Sequence, residues 1–144
     1  MIEEVVRYSK KLKNEYSSIE ELLDENDIIL IEDEYINELE AYIIKIRNKD
    51  FIVINKKIRG LERNFIICHE IYHILKHDID SRCFSRIRGN DRCEIEANIF
   101  SIFFLGIQNY ISTNTKISKI INQTINTISS SCFCLLYTSP SPRD

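Results

Sequence analysis

Three histidines share one segment of the chain at helical spacing, at His69, His73 and His77. The first two frame an H-E-x-x-H motif in which Glu70 follows His69. Positions i and i+4 lie on one face of an α-helix, so both imidazoles can reach a single Zn²⁺. Glu70 then lies beside the metal, where it can act as general base on a water molecule. The motif predicts a hydrolytic zinc site; the alternative is a helix that carries surface histidines.

A zinc site of this kind needs a third protein ligand. A third histidine in the longer version of the motif is excluded, because Lys76 and Ile79 stand where Gly and His are required. The five cysteines form no C-x-x-C pair, which argues against a zinc ribbon. A carboxylate remains, and a later apolar segment offers Glu94 and Glu96.

Glu94 and Glu96 point to nearly opposite faces of the predicted helix, at about 100° per residue. Glu94 shares its side with Asn98 and Ser101, a pattern typical of a solvated stripe. Glu96 lies among apolar residues, where a lone carboxylate would be costly to bury unless a dication is close. We therefore predict Glu96 as the third ligand, although a salt bridge could also account for it. Glu94 and His77 are left as residues that could orient a ligand or contact substrate.

Composition excludes several classes of protein. The chain has 144 residues, of which 44% are hydrophobic and 28% charged, which fits one folded domain. A net charge of −3 argues against a dedicated nucleic-acid binder, and the apolar runs are too interrupted to span a membrane. The acidic N-terminus lacks the form of a signal peptide, so we expect a cytoplasmic protein with reduced thiols. We expect no organic cofactor beside the metal.

Hydrophobic periodicity predicts an α+β fold, because helices come first, then strands, then helices again. The expected sheet is small, three-stranded, and antiparallel or mixed. The motif lies on one predicted helix and the third ligand on another. The predicted helices cover 2–15, 19–23, 61–77, 92–105 and, weakly, 111–131; the predicted strands cover 28–31, 40–46 and 51–55.

Three segments together resemble the ImmA/IrrE-type metallopeptidase family: Phe51–Asn55, Arg63–His77 and Glu94–Phe100. The resemblance covers roughly residues 2–105. It implies a gluzincin-like minimal core and a zinc-dependent endopeptidase, in which zinc or a related metal is bound. The implied ligands are His69, His73 and Glu96, with Glu70 catalytic. Family members cleave helix-turn-helix repressors of mobile elements or stress responses, so the implied partner is such a protein.

The resemblance sets the expected domain organisation. Residues 1–110 form the metallopeptidase domain, and 111–133 form part of a C-terminal helical segment that is cut short relative to the family. Residues 134–144 resemble a translated sequencing adaptor and contain both prolines of the chain, although a natural Ser/Pro-rich tail would share that composition. Ser101 stands where the family usually has Ala, and Phe104–Ile107 replaces the usual end of that helix.

Two other classes of function remain open at this point. One is a metal-containing regulator that docks on a repressor without cleaving it, which cleavage of a neighbouring repressor would exclude. The other is a small DNA-binding protein that uses residues 112–131. That segment has only Lys116 and Lys119 as cations, which disfavours contact with DNA.

Overall fold

The computed structural model describes residues 2–36, 38–76, 91–110 and 115–131. Over these residues the chain has five helices and a three-stranded mixed sheet, which confirms the predicted α+β class. The helices are α1 (Ile2–Glu15), α2 (Ile19–Glu25), α3 (Gly60–Lys76), α4 (Asp91–Leu105) and α5 (Lys116–Ser131). The strands are β1 (Ile28–Asp33), β2 (Ala41–Ile46) and β3 (Lys49–Asn55).

Local capping explains where α2 begins. The Ser18 side chain is the N-cap and accepts a hydrogen bond from the backbone N–H of Glu21 at 3.1 Å. The Glu21 carboxylate accepts from the backbone N–H and the hydroxyl of Ser17, at 2.8 and 2.7 Å. The Ser18 side chain therefore satisfies a donor that the first turn of a helix leaves unpaired, as its spacing from Glu21 predicts. The Glu21 carboxylate instead binds Ser17, the residue before the N-cap.

The sheet has the strand order β1-β3-β2, with β1 parallel and β2 antiparallel to the central β3. The β2–β3 hairpin turns at Arg47 and Asn48, whose φ angles are 52° and 65°. Two successive left-handed residues are the geometry of a type I′ turn, which suits the twist of a hairpin. The sequence has no glycine at this turn, so its type could not be predicted. Because β3 lies between β1 and β2, β2 is an edge strand of the described sheet.

Helix α4 lies between α1 and α3, and this position explains its composition. On one side Phe100 contacts Tyr8 of α1, with ring centroids 6.2 Å apart. On another side the buried Ser101 hydroxyl lies 3.1 Å from the backbone oxygen of Phe65 in α3. Because α4 is covered by a helix on two sides, its apolar residues do not mark a single face.

Gly106 ends α4 in the left-handed region, at a φ of 70°. The backbone N–H of Ile107 then donates to the oxygen of Ile102 at 3.0 Å, the long bond of a Schellman motif. In the described part of the chain, no helix combines the length and the apolar character needed to cross a membrane.

Candidate metal centre

Helix α3 presents His69 and His73 from adjacent turns of one face. Their ring centroids lie 4.8 Å apart, and the two Nε2 atoms approach to 3.2 Å. His73 is buried and His69 is partly buried. Both side chains therefore converge on one point, as the i, i+4 spacing of the motif predicts.

Glu94 of α4 completes the group from the facing helix. Its Oε1 lies 2.9 Å from Nε2 of His69, and its Oε2 lies 3.3 Å from Nε2 of His73. One ligand atom from each of the three side chains can be chosen so that all lie within 4.8 Å of one another. Burial raises the pKa of Glu94, but the two adjacent imidazoles outweigh burial and hold that pKa well below its usual range.

Asn98 contacts His69 at Nδ1, the ring nitrogen that does not face Glu94. It lies one turn after Glu94 on α4, and its Oδ1 is 2.9 Å from Nδ1 of His69. An amide oxygen accepts only, so Nδ1 of His69 is the donor. In the neutral ring Nε2 then carries the lone pair that a metal would need, and Nε2 donates to Glu94 only when the ring is protonated.

The group fits a divalent cation on two observations. Oε2 of Glu94 is a buried carboxylate oxygen that forms no well-aligned hydrogen bond with the described residues, although Nε2 of His73 lies 3.3 Å away. The Nε2 atoms of His69 and His73 also lie 3.2 Å apart, a separation at which either a proton or a cation must lie between them. Two imidazole nitrogens and one carboxylate oxygen are a donor set that zinc accepts in sites that keep an open position.

Glu70 lies at the same place, one residue after the first histidine. Its side chain is 4% exposed, and it lines a cleft of about 460 Å³ together with His69 and Glu94. The remaining walls come from the segment before β2 and from the first turns of α5. The Glu70 carboxylate, a group of side chains that could hold a metal, and an open cleft therefore meet at one location.

The structure places Glu96 outside the group of described side chains that could hold a metal. Its Oε1 accepts a hydrogen bond from the Tyr72 hydroxyl at 3.2 Å, and its Oε2 lies 3.6 Å from Nε of Arg92. Glu94, which the sequence pattern assigned to a solvated stripe, faces the histidines instead. The physical reason is that the stripe of Glu94, Asn98 and Ser101 is the face of α4 turned toward α3.

Tyr72 of the motif is buried in an aromatic group with Tyr8 and Phe100. His77, which the sequence offers as a residue that orients a ligand or contacts substrate, lies outside the described residues. The role of Asn98 was missed, although its position one turn after Glu94 is a signal that the sequence contains.

The family model of the IrrE N-terminal-like domain, Peptidase_M78, matches residues 37–112, which is more than half of the chain. The chain belongs to the IrrE N-terminal-like family. The matched region of this metallopeptidase family holds β2, β3, α3 and α4, and so all three side chains of the candidate metal-binding group. Searches of curated proteins and of solved structures found no match.

Proposed function

We propose that this IrrE N-terminal-like protein is a zinc-dependent endopeptidase, with His69, His73 and Glu94 as metal ligands and Glu70 as the catalytic base. The observation that carries the proposal is the convergence of two imidazoles and one carboxylate within 4.8 Å, at a cleft that Glu70 also lines. Family membership supports the class of reaction. Glu94 replaces the ligand that the sequence favoured, because it lies beside both histidines.

A zinc ion bound by these side chains would supply a Lewis acid that polarises the scissile carbonyl and lowers the pKa of a water molecule. The protein's own side chains orient the histidine and balance the charge of the site. His69 is held by Asn98 with Nε2 directed into the site, and Glu94 balances positive charge there.

Glu70 moves the proton in this mechanism. Its carboxylate takes a proton from the attacking water and passes it to the leaving amine, which breaks the C–N bond of the peptide. Burial to 4% exposure keeps Glu70 out of bulk water, which strengthens its electrostatic effect on the reacting groups.

The substrate that we propose is a helix-turn-helix transcriptional repressor of a mobile element or a stress response. Support for this partner comes from the family resemblance of the H-E-x-x-H and E-x-E-A-N segments. Residues 1–110 would then be the catalytic domain and the helical segment after it an accessory part.

The decisive experiment incubates the zinc-loaded chain with a purified repressor encoded beside its gene and maps fragments by mass spectrometry. We expect cleavage by the wild-type chain and none by Glu70→Gln, which keeps its zinc. Glu25→Gln, an exposed carboxylate on α2, is the matched control and retains activity. Undiminished cleavage by Glu70→Gln refutes the catalytic assignment. A repressor that binds without being cut supports the regulator instead.

A further inference from the structure

We propose that the cleft beside the metal centre selects a peptide segment in which a lysine or arginine adjoins a bulky apolar residue. The inference rests on the proposed peptidase function and names the chemistry of its substrate. In the walls of the cleft, carboxylates that the catalytic mechanism does not use lie next to apolar side chains. These carboxylates belong to Glu38, Glu40 and Glu62.

Two of the three wall carboxylates form no ion pair with a described residue. Glu38 is exposed and Glu62 is partly exposed, and neither has an ion-pair partner among the residues that the structure describes. Glu62 lies in the first turn of α3, where the helix dipole favours a carboxylate without neutralising it with a cation. A cationic side chain of a substrate therefore meets uncompensated carboxylates on two walls.

Apolar surface accompanies this charge. Leu39 is 50% exposed at the rim, between Glu38 and Glu40 in sequence, and Ile120 of α5 is partly exposed on the opposite wall. The rim is anchored to the sheet, because the buried Asn55 donates from Nδ2 to the backbone oxygen of Leu39 at 3.4 Å. Its backbone N–H also donates to the oxygen of Glu40 at 2.9 Å. The backbone of Leu39 and Glu40 is therefore held against the end of β3.

Lys116 is the one cation among the described residues that line the cleft. It is the first residue of α5 and forms an ion pair with Glu40, which precedes β2. This pair joins two walls of the cleft, and both side chains remain solvent-accessible, at 57% and 39% exposure. An incoming lysine or arginine of the substrate would compete with Lys116 for Glu40. Lys116 lies after the residues that the family model matches, 37–112, so this competition belongs to the wall that α5 adds.

The test measures binding separately from cleavage. Fluorescein-labelled peptides that differ only in the residue after a central leucine, as lysine, glutamine or glutamate, are titrated with zinc-loaded Glu70→Gln chain by anisotropy. We expect the lysine peptide to bind best and the glutamate peptide worst, with roughly a threefold step for each unit of charge. Replacing the central leucine by serine should also weaken binding. Equal affinity for the three charge variants overturns the proposal.

Wall variants in the same background locate the effect. Glu38→Gln and Glu62→Gln should each reduce the lysine preference roughly threefold, whereas Lys116→Ala should raise affinity for the lysine peptide alone. Glu25→Gln, which lies outside the cleft, is the control and leaves the preference unchanged. A lysine preference that survives the double variant Glu38→Gln/Glu62→Gln overturns the assignment to these walls.

A titration of peptide binding with salt needs no wall variant, so its result does not depend on whether such variants fold. The preference for lysine over glutamate should shrink as ionic strength rises from about 0.05 M to about 0.5 M, because exposed charges are screened over shorter distances. A preference that is independent of salt contradicts an electrostatic origin.

Cleavage by the wild-type chain separates the two proposals. Peptides that bind in the expected order but are never cut leave the charge selectivity standing and refute the peptidase function. Peptides that are cut with equal kcat/KM, whatever the residue after leucine, leave the peptidase function standing and refute the selectivity.

Discussion

Asn98 holds His69 from the side opposite to the proposed metal: its Oδ1 lies 2.9 Å from Nδ1, while Nε2 of the same ring lies 2.9 Å from Glu94. The two contacts come from residues one turn apart on α4. One helix face therefore supplies both a proposed ligand, Glu94, and the group that contacts another proposed ligand, His69. Outer contacts of this kind fix the tautomer and the ring orientation of a metal-binding histidine.

Replacing Asn98 tests this relationship. Asn98→Ala removes the acceptor from Nδ1 of His69, so we expect zinc affinity to fall roughly 10–100-fold, as measured by competition with a chromophoric chelator. Asn98→Asp keeps an acceptor at the same position and should retain most of the affinity. An Asn98→Ala chain that binds zinc as tightly as the wild type would show that the contact is incidental.

The choice between the two glutamates has a direct test. Glu94→Gln removes the carboxylate that faces both histidines, so we expect the purified chain to lose stoichiometric zinc in elemental analysis. Glu96→Gln is the matched control two residues away, and it should keep one zinc per chain. Loss of zinc in Glu96→Gln together with retention in Glu94→Gln would restore the ligand set that the sequence favoured.

The sequence contains enough to predict the architecture. Regular apolar spacing in α1, the cap at Ser18 and the two β-rich segments of the hairpin each depend on local chemistry, and each element appears in the structure. The parallel pairing of β1 with β3 depends on a contact between distant segments, which no local pattern specifies. For this reason the sequence left the sheet as antiparallel or mixed.

The site was only partly predictable for a related reason. The spacing of His69 and His73 fixes their common face, but the choice between Glu94 and Glu96 depends on which face of α4 meets α3. Glu96 shares its side of the helix with apolar residues, which predicts that it faces the site. Those apolar residues also pack toward α1, as the contact between Phe100 and Tyr8 illustrates. The polar stripe was therefore the one that faced the site.

Burial of Ala97 in α4 gives a packing prediction. Ala97 is fully buried, so Ala97→Leu should lower the free energy of unfolding by about 1–3 kcal/mol in urea denaturation. It should also weaken zinc binding, because α4 carries Glu94 away from α3. Ala97→Gly costs about 1 kcal/mol through helix propensity but leaves the spacing unchanged, so its zinc affinity should hold. Equal zinc affinities for Ala97→Leu and Ala97→Gly would show that packing at this position does not influence the metal site.

Tyr72 gives a prediction for alkaline pH. Burial, and then the charge of Glu96, raise the pKa of the Tyr72 hydroxyl above its ordinary value of 10.0. The unfolded chain therefore loses this proton first, and the folded state loses stability as the pH rises above about 10, by at most about 1.4 kcal/mol per pH unit. Below that pH the contribution is fully present.

Tyr72→Phe isolates this contribution. At pH 8 the variant should be less stable by about 1 kcal/mol, because the hydrogen bond to Glu96 is lost. By pH 11 the difference should shrink to near zero, since phenylalanine has no proton to lose. Urea denaturation of the chelator-treated chains from pH 8 to pH 11 measures both curves. Burial also raises the pKa of Cys68, but this thiol is present in both chains and cancels in the difference. A difference that stays constant across this range would show that the Tyr72 hydroxyl is not the titrating group.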